Sequence, residues 1–316
     1  MRQLLSFFLF SIMIFSSCSS NDEDIISEFQ NVPSIRNGFL DENTETFFVE
    51  DASEPIIITT KDGISISFEA NSFLKDSVFE DGVFLEDSIL FTGNARIEFV
   101  YIIDRVDMML AGATTVAIVE DSKHTLLRSG GEYYINVKDD SDGRSLLPAK
   151  NYSVKIPKSM SGDGDFEMSL FRTGTAYLFY WFNAQSSDET GFVIQNGDTY
   201  DMVFNEFGWI NCDAFLDFEG PTQTIGLTRP EGLNTFNSFA FVLLDSMPFS
   251  LGRVNIRYPN GEKGKVVYMT KSVSHYHIAY QKFEIEPLLE IRFELEDLKE
   301  VEIDQIHDYL QQIVEE

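Results

Sequence analysis

The chain has 316 residues, with 52 acidic side chains against 23 basic ones and a formal charge of −29 at pH 7. So negative a polymer repels phosphate backbones and anionic headgroups, which excludes nucleic acid as a partner and a basic membrane-binding face. With 43% hydrophobic and 14% aromatic residues it can build a sizeable core, and its length suggests two domains.

Residues 1–17 read as a signal peptide. Arg2 is the one charge before Asp22, and Leu4 to Phe15 is an almost unbroken apolar run. As a helix that run rises about 18 Å, short of the roughly 30 Å of hydrocarbon a span must cross. A basic start, a short apolar core and then small residues is the layout of a cleaved leader. No later run reaches the length of a membrane-spanning helix. The leader ends Ile14-Phe15-Ser16-Ser17-Cys18, which resembles the lipobox of bacterial lipoproteins, with Phe15 in place of the usual leucine. The resemblance implies that Cys18 takes a diacylglyceryl thioether and becomes the mature N-terminus, attaching the chain to the membrane through its lipid. Each buried methylene contributes about 0.8 kcal/mol to such an anchor. An ordinary leader followed by a chance cysteine is the alternative. Asp22, Glu23 and Asp24 follow, and this cluster resembles the surface-export signal of Bacteroidetes-type lipoproteins. It implies an outer-membrane location at the cell surface, with the periplasmic face as the other possibility.

Residues 18–45 are polar and acidic and read as a tether. From 46 to 160 the pattern turns to period two. Ile56–Thr60 forms a strand, Lys61-Asp62-Gly63 a turn, and Ile64, Ile66 and Phe68 then alternate with Ser65, Ser67 and Glu69. Further strands are expected at 95–103, 114–120, 132–138 and 152–156. Turns are expected at Thr92-Gly93-Asn94, Ser129-Gly130-Gly131 and Ser141-Asp142-Gly143. Short punctuated strands of this kind make an antiparallel sandwich. The segments from Gly63 to Phe73, Thr92 to Glu98, Leu126 to Ile135 and Tyr152 to Pro157 resemble the ZU5-like β-sandwich, a module also found in uncharacterised Bacteroidetes-type lipoproteins. The resemblance spans about 110 residues. It implies a fold and protein–protein contact, and brings no catalytic residues.

A Gly-, Asp- and Ser-rich stretch at 159–165 suggests a boundary, so 161–316 is expected to be a second β-rich domain. The expected fold class is mainly β: two antiparallel β-sandwich-like domains with a C-terminal amphipathic helix. The helix is read from Ile306, Tyr309, Leu310 and Ile313, with Asp304 as N-cap. It packs on the second domain, or binds a partner. Gly208-Trp209-Ile210-Asn211-Cys212-Asp213-Ala214-Phe215 resembles a signature that follows the ZU5-like part in the same lipoproteins, where arginine is expected at the place of Ala214. That departure removes a charge that could pair with Asp213. With Cys18 lipidated, Cys212 has no disulfide partner, and its aromatic surroundings suggest a buried, inert thiol.

Candidate chemistry is sparse. His275 and His277 share one face of a strand and are the candidate metal ligands, but no third ligand has recognisable spacing, so exposed strand histidines are the preferred reading. Asp139-Asp140-Ser141-Asp142-Gly143 offers oxygens for calcium, but a hairpin turn explains it better. Tyr177 and Trp181, in an aromatic strand, are candidates for stacking on a sugar, with core packing as the default reading. Asp76-Ser77-Val78, Asp87-Ser88-Ile89 and Asp245-Ser246-Met247 resemble O-glycosylated tripeptides of Bacteroidetes envelopes. No nucleophile elbow, P-loop or dinucleotide motif is present. The expected function is therefore a non-enzymatic outer-membrane lipoprotein that presents β-sandwich domains for protein interaction or envelope structure, with no cofactor. A carbohydrate-binding surface lipoprotein is the first alternative and a metal-dependent hydrolase the second. The expected partner is an envelope protein or a glycan.

Overall fold

The computed structural model describes residues 35–75, 79–80, 83–84, 89–119, 123–160, 167–173, 180–184, 191–233 and 238–316. It is mainly β, with several sheets and a short C-terminal helix, as the patterning predicts.

The first body begins earlier than expected. Helix α1 (Ile35–Asn43) and strand β1 (Glu45–Val49) occupy the end of the segment read as tether, because Ile35 and Phe39 supply buried apolar surface. There follow β2 (Ile56–Thr59), β3 (Ser65–Phe68), β4 (Phe73–Lys75), the short pair β5 (Phe79–Glu80) and β6 (Val83–Phe84), and β7 (Ala95–Ile102). Helix α2 (Arg105–Ala111) has Asp104 as N-cap, accepting from the Asp107 amide at 2.9 Å, and ends on Gly112 at φ 64°. Then come β8 (Val116–Ile118), β9 (His124–Asp139), β10 (Leu146–Pro148), β11 (Tyr152–Pro157), β12 (Ser169–Thr173), β13 (Trp181–Asn183), β14 (Phe192–Asn196), β15 (Thr199–Phe204) and β16 (Gly208–Phe215).

Two sheets face each other in this body. One has the order β1-β7-β9-β16-β12-β13-β8, the other β14-β15-β11-β3-β2. Between them lies a core that includes Ile66, Phe68, Ile97, Phe99, Ile135, Val154, Met202 and Ile210. The first sheet also closes on itself, because β8 pairs with both β13 and β9. The ring β8-β9-β16-β12-β13 wraps Ala117, Leu127, Phe171 and Trp181.

The pairing corrects the expected boundary at 160/161. Strands β12 to β16 complete both sheets, so the sandwich runs on to Phe215. The Gly/Asp/Ser-rich stretch joins strands of one body; composition marks a connection but not which strands it joins.

The second body contains β17 (Thr222–Thr224), β18 (Gly226–Thr228), β19 (Ser238–Leu244), β20 (Gly252–Arg253), β21 (Arg257–Pro259), β22 (Lys263–Lys271), β23 (His275–Glu284), β24 (Glu290–Arg292), β25 (Lys299–Glu302) and helix α3 (Ile306–Glu315). Its main sheet, β20-β19-β22-β23-β25, is covered on both faces. Val242, Leu244, Val266 and Tyr268 meet the small β17–β21 and β18–β24 layers; Phe241, Leu243, Val267 and Met269 meet the helices. Burial on two faces is why β19 reads Ser-Phe-Ala-Phe-Val-Leu-Leu without polar alternation. Helix α3 buries Ile306, Leu310 and Ile313, each contributing about 1.5–3 kcal/mol. The packing reading of this helix holds, but its N-cap is Gln305, without a side-chain cap bond; a 3-10 turn, Ile303–Gln305, leads into the helix.

Candidate functional site

Two segments far apart in sequence, Leu126–Ile135 and Gly208–Phe215, lie side by side as β9 and β16. The expected turn at Ser129-Gly130-Gly131 is instead continuous strand. Its glycines serve close approach. A Cβ on Gly130 would stand 2.5 Å from the Cys212 carbonyl oxygen, and one on Gly131 2.4 Å from the Tyr133 hydroxyl. A bulge between Asn211 and Asp213 shifts the register here.

The bulge turns Asp213 into a sealed polar centre. Ser129, Glu132, Asn211 and Asp213 are all fully buried. Asp213 Oδ2 accepts from Asn211 Nδ2 at 2.6 Å, Oδ1 accepts from the Gly130 amide at 3.1 Å, and the Ser129 side chain donates as well. Burial pushes the Asp213 carboxyl up to about 8, against the pull of these donors. The Asn211 Oδ1 atom has no hydrogen-bond partner among the described residues. Ala214 is buried with Arg128 as its cross-strand partner, so the missing arginine leaves Asp213 satisfied by its own strands. Cys212 is a free, buried thiol whose pKa burial raises, in keeping with an inert role.

Next to this centre the second body lays a strap, residues 245–251, across β8 and β9. The Ser129 amide donates to the Phe249 carbonyl (2.8 Å), Ser250 Oγ to the Leu127 carbonyl (2.7 Å), and the Thr115 amide to the Leu251 carbonyl (2.9 Å). The Arg128 guanidinium lies over the Phe249 ring at 5.1 Å. Arg105, buried at the start of α2, donates to the carbonyls of Ser250 (3.0 Å), Leu244 (2.6 Å) and Met247. Burial lowers its pKa to about 10, so it stays charged at neutral pH. One cation thus satisfies three carbonyls of the other body.

An open cleft of about 310 Å³ lies beside α2, lined by Glu45, Lys61, Asp62, Tyr101, Asp104 and Asp107 among others. Burial and the neighbouring Asp104 raise the Asp107 carboxyl. His307 on α3 reaches it at 3.8 Å.

The residues singled out in the sequence fare unevenly. Trp181 is fully buried and donates through Nε1 to the Thr114 carbonyl at 2.5 Å, so its indole is sealed inside the strand ring and offers no sugar-stacking face. Tyr177 lies outside the described residues, as do Cys18, Asp22, Glu23, Asp24 and the tripeptide serines Ser77 and Ser88. Ser246 is exposed and donates to Glu262 Oε2 at 2.5 Å. His275 Nε2 meets Glu300 and Glu302 of β25 at 3.2 and 3.1 Å, while His277 faces Ser272 at 3.3 Å. Among the described residues, no three or more His, Cys, Asp or Glu side chains are arranged to hold a metal ion. Asp139 opens the turn at 140–142: Oδ1 accepts from the Ser141 amide and hydroxyl, and Oδ2 meets Lys75 at 3.0 Å. Asp142 is held by Arg144 at 2.7 Å, and residues 140–142 form the expected turn. Arg105 and Glu132 escaped the sequence reading; a lone arginine and a strand glutamate carry no local signal of burial.

No helix among the described residues is long and apolar enough to cross a membrane. No family model, no curated protein and no solved structure matches the chain.

Proposed function

We propose that the chain is a lipid-anchored outer-membrane protein that holds a joined pair of β bodies at the cell surface for contact with another envelope protein or for envelope structure, without a reaction of its own. The observation that carries this reading is the leader ending in Ser16-Ser17-Cys18, with Asp22-Glu23-Asp24 directly behind it. The strap and Arg105 support it, since two bodies tied by main-chain bonds offer a partner one fixed surface. On this reading the ZU5-like segments form a contact module and the sealed polar centre fixes its strand register.

Labelled palmitate fed to producing cells tests the anchor: wild type incorporates label and Cys18→Ala does not. An unlabelled wild-type chain sinks the anchor. Protease added to intact cells tests the leaflet: the chain is cleaved from outside, and full protection refutes surface display.

A further inference from the structure

We propose that Leu288 anchors a contact surface for a second protein, one that offers an apolar pocket bordered by lysine or arginine. The proposal rests on the display reading above and specifies the partner's chemistry. Of the three non-glycine residues with positive φ among those described, two are asparagines, Asn71 and Asn255; the third is Leu288, at φ 65°. Among the described residues it is also the most exposed large hydrophobic one, at 95%. Leu288 is the third residue of the turn Glu286–Leu289, closed by the Leu289 amide on the Glu286 carbonyl at 3.2 Å, with Pro287 second. Glycine or asparagine suits the third place of such a turn; leucine is strained there and its side chain is left in water. Both costs fall on one residue, and neither is repaid among the described residues.

The turn is braced on both sides. The Ile285 amide donates to the Glu262 carbonyl and its carbonyl accepts from Gly261, each at 2.8 Å, while the Leu289 carbonyl accepts from Gly226 at 2.9 Å. Leucine is therefore presented on a fixed support, which lowers the ordering cost of docking it. Exposed Glu284, Glu286 and Glu290 surround it in sequence. They favour a basic-rimmed protein pocket and are repelled by an anionic lipid surface.

The test uses the full chain in the cells that make it, with a photoreactive amino acid in place of Leu288 or, separately, of Val273, which is 71% exposed beyond β22. The probe at 288 gives one protein adduct and the probe at 273 none, and adding Glu286→Lys cuts the yield about tenfold. The captured protein, once purified, binds the wild-type chain and loses about tenfold in affinity for Leu288→Gly. That variant melts no lower than wild type, because glycine adopts φ 65° freely. Adducts to lipid alone, equal adducts from both positions, no adduct, or a Leu288→Gly chain melting several degrees lower overturns the proposal. Fatty-acid labelling in the same cells separates it from the display reading: a lipidated chain without adduct sinks only the Leu288 anchor, and an unlipidated chain with the adduct sinks only the lipid anchor.

Discussion

The sandwich core and the seam with the second body bury ionisable groups in opposite ways. The sandwich encloses an acid, Asp213, and surrounds it with donors from its own strands, β9 and β16. The second body and its seam enclose cations, Arg105 and Lys265, and aim them at main-chain carbonyls. Burial pulls both cations down, but Arg105, lowered only to about 10, stays charged at neutral pH. A buried carboxyl can instead escape desolvation by taking up a proton. The difference teaches where pH should act on this molecule: on Asp213 in the sandwich and, at the seam, on Asp107, whose carboxyl burial and Asp104 raise, rather than on Arg105.

Arg105→Ala should break the comparison most severely. It leaves the carbonyls of Leu244, Met247 and Ser250 without their shared donor, at a cost of about 4 kcal/mol. Urea unfolding should then separate into two steps, as the bodies lose their common tie. A single transition at unchanged midpoint would show that the strap's main-chain bonds suffice alone.

Asp213→Asn comes next. With its pKa raised to about 8, Asp213 keeps its proton when folded and loses it near pH 4 when unfolded. The unfolded chain therefore binds fewer protons between about pH 4 and 8, and the stability contributed by this group falls as pH rises through that window. The difference between Asp213→Asn and wild type should shift toward the variant by about 1.4 kcal/mol per pH unit between pH 5 and 7. A difference independent of pH would mean that the three donors keep the carboxylate ionised.

Asp139, the last residue of β9, works with the opposite sign. The Ser141 hydrogen bonds and Lys75 hold its carboxyl down to about 2. Its contribution is present above the unfolded value near 4 and disappears as pH falls toward 2. Asp139→Asn should flatten the acid limb of the stability profile below pH 4 and leave the neutral region nearly parallel to wild type.

Much of the strand content was legible from alternation. Ser65–Phe68, Ala95–Ile102, Tyr152–Pro157 and Thr199–Phe204 carry period-two burial that their residues announce. The partners of those strands were not legible, because pairing depends on residues far away in the chain, and so the boundary fell too early. Gly130 and Gly131 show a second limit. Glycine signals both a turn and a close approach, and only the carbonyl of Cys212 and the ring of Tyr133 decide between them. The candidate site was half legible: both segments that build it carried the resemblance, but their adjacency and the burial of Asp213 belong to the fold. For Trp181 the default reading, core packing, holds; an aromatic strand looks alike whether its rings face a ligand or close a strand ring, and burial decides.

Lys265 offers the smallest and most local test of the contrast. Its ammonium donates to the carbonyls of Ile313 (2.8 Å) and Val314 (3.3 Å), groups that the end of α3 leaves without intrahelical partners. A cation at this end also meets the negative pole of the helix. Lys265→Met keeps the packed methylenes and removes only the donor, so the loss should be about 1.5 kcal/mol. It should concentrate in the last turn of α3, where Tyr280 and Lys282 still hold Glu316. Amide exchange should quicken about tenfold there and barely change along β22. Equal quickening in both would mean that the helix end and the sheet open together, making Lys265 part of the core rather than a cap upon it.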